Sequence, residues 1–209
     1  LPMPTDIDAD LEASEVPEAA APGRHIGAYV EMLISSVIGL FASLVLSIEA
    51  VTLAANPAAV LSCDFSSKIS CGVVAETWQA QLFGWPNSFL GLIAEPVVIT
   101  VAVAALGGVR FPRWFMLTAQ AIYTLGFVFA WWLFYQSYFV IGALCPWCLL
   151  ITITTTLVFM SMSRVNILDG NFGAGITRAL TPALSWWVDV WVSVLIIAAL
   201  AAAVIFRYL

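Results

Sequence analysis

Long stretches without a charged side chain alternate with short polar breaks along this chain, and the lengths of the apolar stretches give them their meaning. A bilayer core of about 30 Å takes roughly 20 mostly apolar residues per helix, so each stretch can be measured against that requirement. Five spans fit. Residues 28–54 make the first, with no charge between 32 and 48. Residues 88–108 make the second, interrupted only by Glu95. Between Arg113 and Arg164 lie fifty uncharged residues, enough for two helices, and Gly142-Ala143-Leu144-Cys145-Pro146 falls where a turn should divide them. The third and fourth spans are therefore expected at 115–140 and 146–162. The fifth covers 186–206, with Trp186, Trp187 and Trp191 as an interfacial aromatic anchor at one end.

Composition agrees with this pattern. Of 209 residues, 62% are hydrophobic and 10% charged, with a mean hydropathy of +1.00. That is more apolar surface than a soluble core can hide. The net charge of −6 is uneven: six acids and one base, Arg24, precede residue 25, and the remainder is nearly neutral. No basic patch exists, so nothing favours a nucleic-acid partner. Residues 1–25 lack aromatics and are rich in Ala, Pro, Asp and Glu; they are expected to form a disordered acidic tail. The same stretch lacks the layout of a removable signal peptide.

Placing the bases sets the orientation. With the N-terminus inside, Arg24, Arg110, Arg113, Arg164 and Arg178 are cytoplasmic, and Lys68 and Arg207 lie outside. The loop 56–87 then emerges on the non-cytoplasmic face, as does the turn at 142–146, whereas 165–185 reads as a cytoplasmic linker. The loop is too short to be a domain, and a short amphipathic helix is expected in it, with Trp78 and Trp85 at the interface.

The four cysteines sit in those two outer segments, as Cys63-x7-Cys71 and Cys145-Pro-Trp-Cys148. The i, i+3 spacing of the second pair puts both sulfurs on one face of a helix. Cys145 lies at the start of the fourth span, with Pro146 where a missing N–H is harmless. Free amides and the positive helix end there favour a thiolate, the form that attacks disulfides. Two pairs on one side of a membrane suggest a relay, because thiol-disulfide exchange moves two electrons at a time. The competing reading is a non-catalytic scaffold or transporter subunit whose cysteines form structural disulfides. A zinc site built from all four cysteines is disfavoured by an oxidising compartment.

Other residues add less. Glu95 would lie roughly 10 Å below the surface at 1.5 Å per residue, where a carboxylate is protonated or paired; it handles protons or makes a bundle-facing hydrogen bond. Glu31, Glu49 and Asp189, near span ends, read as solvated or snorkelling groups. His25 has no evident ligand partners, and no metal constellation is visible. Phe127, Trp131, Phe134, Tyr135 and Tyr138 follow helical spacing and could wall a pocket in the third span or simply pack.

Taken together, Cys63-Asp64 and Ile69-Ser70-Cys71, then Pro86-Asn87-Ser88-x-x-Gly91, then the Cys-x-x-Cys opening the fourth span resemble the vitamin K epoxide reductase family and its bacterial homologues over about residues 28–163. The other quinone-linked oxidase family, that of the disulfide-bond-forming protein B, places its Cys-x-x-Cys before the loop pair. The resemblance implies an all-α integral membrane protein: a four-helix transmembrane bundle over 26–164, plus a fifth C-terminal transmembrane helix within 186–209. It implies a bacterial inner membrane and a quinone of menaquinone or ubiquinone type as electron acceptor. Cys63 would exchange with a thioredoxin-fold partner, Cys71 would attack Cys145, and Cys148 would face the quinone. Asn87, with Ser88 beside it, would contact a quinone oxygen; a helix cap for the second span is the alternative. Thr152 and Ala75 stand where the vertebrate enzymes have Tyr and Phe, which weighs against epoxide chemistry. Many bacterial members carry a fused thioredoxin-like domain after a fifth span. This chain stops three residues past that span, so its partner is expected to be a separate protein of the DsbA kind.

Overall fold

A computed structural model describes residues 25–208; the acidic tail, and with it the expectation of disorder, lies outside the described residues. Among the described residues, five helices are long and apolar enough to cross a membrane. They are α1 (Ile26–Ala55), α3 (Ser88–Leu106), α4 (Arg113–Tyr135), α5 (Pro146–Leu168) and α7 (Val188–Tyr208). α4 continues as one turn of π-helix, Gln136–Ile141. The outer loop holds the short α2 (Cys71–Ala75) and a 3-10 turn, Trp78–Gln81. Among the described residues there is no β-strand, only an isolated bridge.

α1 is the central element, packed against both α3 and α5. One face of it carries small residues, Ser36, Gly39, Ser43 and Ser47, all buried. Lipid tails are as apolar as leucine, so helix pairing in a bilayer depends on close backbone approach and interhelical hydrogen bonds rather than on expelling water. Both devices are present. A Cβ on Gly91 of α3 would come within 2.8 Å of the Ser43 Cβ, so only glycine allows this approach. Ser47 donates to the Ser88 hydroxyl at 3.0 Å. α5 closes the bundle against α4, where Trp131 donates to the Thr156 hydroxyl at 3.1 Å and Phe127 stacks on Phe159 at 4.4 Å.

The seam between α3 and α4 is bridged largely by side chains. Buried Glu95 accepts from the Tyr123 hydroxyl at 3.3 Å, the bundle-facing hydrogen bond that was one of its two readings. Its second oxygen, Oε2, has no hydrogen-bond partner among the described residues. Nearer the loop the seam is capped by aromatic rings, with Phe83 on Phe129 at 5.8 Å and Trp78 on Trp132 at 6.1 Å.

At the opposite end from the cysteines, polar contacts knit the helix ends. Arg164 pairs with Asp189 at 2.7 Å and lies over the Trp187 ring, Glu31 accepts from Ser161 at 2.5 Å, and His25 contacts Asp169 at 3.0 Å. The expectation that Glu31 and Asp189 are solvated or snorkelling is therefore corrected: each has a partner on a neighbouring helix, which offsets the desolvation that a lone carboxylate would suffer. α5 also runs six residues past the expected end at 162, and the segment 165–185 contains a further helix, α6 (Ala174–Ser185). At the cysteine end, Tyr208 of α7 reaches the Ser137 carbonyl at 3.4 Å.

Candidate active site

All four cysteines meet at one end of the bundle. Cys63 and Cys71 are joined as a disulfide, and Cys145 and Cys148 are free thiols. The Cys145 sulfur stands 3.2 Å from that of Cys71, a van der Waals approach from which exchange needs little motion. Cys63, Cys71 and Cys145 are each at most 3% exposed; Cys148 is half-buried beside them.

Local chemistry explains the meeting. The loop strand at Ile69 lies parallel to the turn at Leu144 as an isolated bridge. The Leu144 amide donates to the Lys68 carbonyl at 2.8 Å, and the Ser70 amide donates to the Leu144 carbonyl at 3.0 Å. Those two bonds end one residue short of each cysteine, so the bridge sets the sulfur spacing directly. On the far side the turn is held by the π-helical segment: the Ser137 hydroxyl donates to the Ala143 carbonyl at 2.5 Å. Gly142 takes a positive φ of 74° there, which a side chain would resist.

Asp64 ties the loop from within. Its Oδ1 accepts from the Ser70 hydroxyl at 2.6 Å and the Gly72 amide at 3.0 Å, and its Oδ2 from the Leu61 amide at 2.9 Å. Burial pushes its carboxyl up, but these hydrogen bonds outweigh burial and hold it below the usual aspartate range. A depressed folded value means that the contribution is complete above the ordinary unfolded value, about 3.9, and fades as pH falls through the folded one. Hydrogen exchange is expected to show the Leu61 and Gly72 amides protected at neutral pH and released only below the ordinary carboxylate range. In Asp64→Asn the protection should be weaker and lose that acid step.

The cysteine at the head of α5 is a mixed result. Cys145 is the N-cap, Pro146 follows it, and the Cys148 amide donates to the Cys145 sulfur at 3.2 Å, as the spacing requires. Yet burial, followed by the hydrogen bond and charge of Cys148, pushes the Cys145 thiol well up, against the smaller lowering by the amides of Cys148 and Trp147. Burial and the neighbouring Cys148 thus work against the thiolate that the helix end favours. The amides help when its sulfur leaves with an electron pair.

Asn87 and Ser88 head α3. Asn87 makes no side-chain cap of α3; its Nδ2 donates to the Gln79 carbonyl at 2.6 Å, and its buried Oδ1 has no partner among the described residues. The cap alternative does not hold. The third-span aromatics divide by face: Phe127 and Trp131 pack on α5, Tyr138 donates to the Ala203 carbonyl of α7 at 3.3 Å, and Tyr135 is exposed. The rings over the α3–α4 seam are Phe129 and Trp132 instead, which the sequence reading did not select; spacing alone does not show which face the loop covers.

Glu49 was also missed, having been read as a solvated or snorkelling end residue. It is 8% exposed and turned into the site, where its Oε1 accepts from the Ser62 amide at 3.2 Å and the Ser62 hydroxyl at 2.5 Å. Its Oε2 lies 3.4 Å from the Cys63 sulfur. The ligating atoms of Glu49, Cys63 and Cys71 fall within 4.8 Å of one another, but two sulfurs bonded to each other offer no thiolate to a metal in this state. An apolar cleft lined by Pro96, Thr100, Val109 and Phe115 lies at the opposite end of α3, away from this chemistry.

The model of the vitamin K epoxide reductase family matches residues 30–163, most of α1 through α5 and the whole outer loop. No curated protein matches the chain.

Proposed function

The chain belongs to the vitamin K epoxide reductase family, a membrane oxidoreductase family, and from that premise we propose that it is a quinone-dependent enzyme that generates disulfides in a thioredoxin-fold partner of the DsbA kind. The observation that carries the reading is the 3.2 Å approach of the Cys145 thiol to the Cys71 end of a disulfide. A scaffold with structural bonds has no need of a free thiol poised on a closed bridge.

The steps follow from the four sulfurs. A partner thiolate attacks Cys63; the Cys63–Cys71 bond breaks and Cys71 leaves with the electron pair. The partner's second thiolate then attacks its own bonded sulfur, which frees Cys63 and leaves the partner oxidised. Cys71 attacks Cys145 of a Cys145–Cys148 disulfide, displacing Cys148. Cys63 attacks Cys71, closes the loop bridge again and displaces Cys145. The structure's combination of a closed loop pair and two free thiols on α5 matches the state that follows this internal transfer.

A bound quinone of menaquinone or ubiquinone type supplies a sink for two electrons and two protons, and Cys148 is the sulfur that discharges toward it. The residues at the head of the α3–α4 seam suit such a group: aromatic rings offer flat apolar contact, and the orphaned Asn87 Oδ1 is an acceptor for a quinol hydroxyl, with a remaining Nδ2 hydrogen for a quinone oxygen. Ser88 has its hydroxyl shared with Ser47. Asn87→Ala is expected to raise the KM for quinone about tenfold, the worth of one hydrogen bond at about 1.4 kcal/mol, with a smaller effect on thermal stability. Equal losses would mark Asn87 as no more than a tie to Gln79.

On this reading the chain sits in a bacterial inner membrane with its N-terminus cytoplasmic and the cysteines outside, as the division of bases favours. The test is an anaerobic titration of the reduced protein with short-chain quinones while free thiols are counted. All four thiols should disappear on adding quinone and return on adding partner dithiol. Thiols indifferent to quinone would leave the scaffold reading standing.

A further inference from the structure

Glu49 raises a question that the relay leaves unanswered. Once the partner has released Cys63 as a thiolate, that sulfur can take up a proton, and a protonated Cys63 must give it up again before it can close on Cys71. Cys63 is 3% exposed, so water has little access to it. The nearest titratable group is the Glu49 carboxylate, in the last turns of α1.

Its two oxygens are not equivalent. Oε1 is satisfied by the amide and hydroxyl of Ser62, which fix the plane of the carboxylate. Oε2 has only the Cys63 sulfur, 3.4 Å away. That sulfur is part of a disulfide and carries no hydrogen, so in this state Oε2 accepts nothing from it and is the oxygen on which a proton can reside. Reduction supplies the missing S–H at the place to which Oε2 points. No cation pairs with Glu49 among the described residues, and the other loop acid, Asp64, is engaged by its own three donors. The facing groups are therefore Ser62, Cys63 and Cys71, with Cys145 behind Cys71.

We propose that Glu49 is the proton acceptor and donor for Cys63. In closure, starting from a Cys71–Cys145 bond, the Cys63 thiol gives its proton to Oε2 and its sulfur attacks Cys71. The Cys63–Cys71 bond forms, the Cys71–Cys145 bond breaks, and Cys145 leaves with the electron pair. In opening, the partner's second thiolate displaces Cys63 as a thiolate, which takes the proton back from Glu49. One carboxylate thus serves both directions, and no proton need come from bulk water at a buried sulfur. This assignment rests on the relay read above.

The test uses the whole chain, anaerobically reduced, mixed with excess short-chain quinone, quenched by acid and alkylation at intervals, and mapped for each disulfide. Failure of the wild type to form either bond would sink the relay itself, independently of Glu49. In Glu49→Gln, which keeps the size of the side chain and an acceptor for Ser62, Cys145–Cys148 should form at the wild-type rate. The Cys71–Cys145 bond should then accumulate, with closure of Cys63–Cys71 at least about tenfold slower near neutral pH. The deficit should shrink above about pH 9, where the thiol ionises unaided. Wild-type closure at neutral pH, or a deficit equal at every pH, would overturn the proposal. If Glu49→Gln slowed both bonds alike, Glu49→Asp decides: closure faster than in the Gln variant supports the role, and equal closure overturns it.

Discussion

Cys148→Ser is expected to abolish quinone-driven thiol oxidation while leaving the Cys63–Cys71 bridge of the outer loop able to open and close. Cys148 is the half-buried member of its pair, placed one helical turn into α5 with its amide on the Cys145 sulfur. Without it Cys145 has no partner on α5, and the sulfur it touches is that of Cys71, at 3.2 Å. Cys63 resolves any Cys71–Cys145 bond by the closure step above, so the variant should hold Cys63–Cys71 closed with Cys145 a lone free thiol, a pattern readable by non-reducing peptide mapping. Removing one member of a set that acts as a unit costs nearly the whole effect, so turnover should fall by at least about a thousandfold. The exchange of the closed Cys63–Cys71 bridge with a partner dithiol should survive. Retained quinone-dependent turnover in Cys148→Ser would end the catalytic assignment.

The second large effect is expected from a residue that carries no redox chemistry. Ser70→Pro removes the amide that donates to the Leu144 carbonyl and demands a φ near about −65° where the chain holds −156°. The bridge between loop and turn should open, and with it the contact between the two pairs. Proximity of this kind is worth large factors in an exchange between tethered groups, and internal transfer from Cys71 to Cys145 should slow by about a hundredfold or more. Rapid quenching with peptide mapping can follow that step apart from reduction of Cys63–Cys71, which should persist. Ser70→Ala is the control. It loses the hydroxyl that accepts from Val73 and donates to Asp64, at about 1 kcal/mol of loop stability, but keeps both backbone bonds and should keep transfer. Equal transfer in the Pro variant and the wild type would mean that the bridge does not set the spacing.

How much of this could be read in advance depends on which force fixes each part. The spans were legible because a bilayer admits only long uncharged runs: α3 and α5 begin where expected, at Ser88 and Pro146. The end of α5 was not, since Arg164 looks like a boundary by charge, whereas Asp189 and the Trp187 ring accommodate it within the helix. α6 escaped for a similar reason: with Arg178 and Pro182 inside it, it does not read as a span. The cysteine pairs were legible from spacing and order. Glu49 was not, because an acid near the end of an apolar span reads as a group reaching for water until the loop is seen to fold back over it. The signal available was its position: a lone acid in the last turns of a span, fourteen residues before Cys63.

The burial of the three inner sulfurs has a consequence for which reductants the molecule can accept. With Cys63, Cys71 and Cys145 each at most 3% exposed, a small dissolved thiol meets no open sulfur at the junction, whereas a folded protein that prises the loop as it binds can reach one. The rim is insulated like a wire whose sheath yields only at the plug. On the proposed relay, electrons would then enter the membrane from a fitted protein partner and not from the general thiol pool.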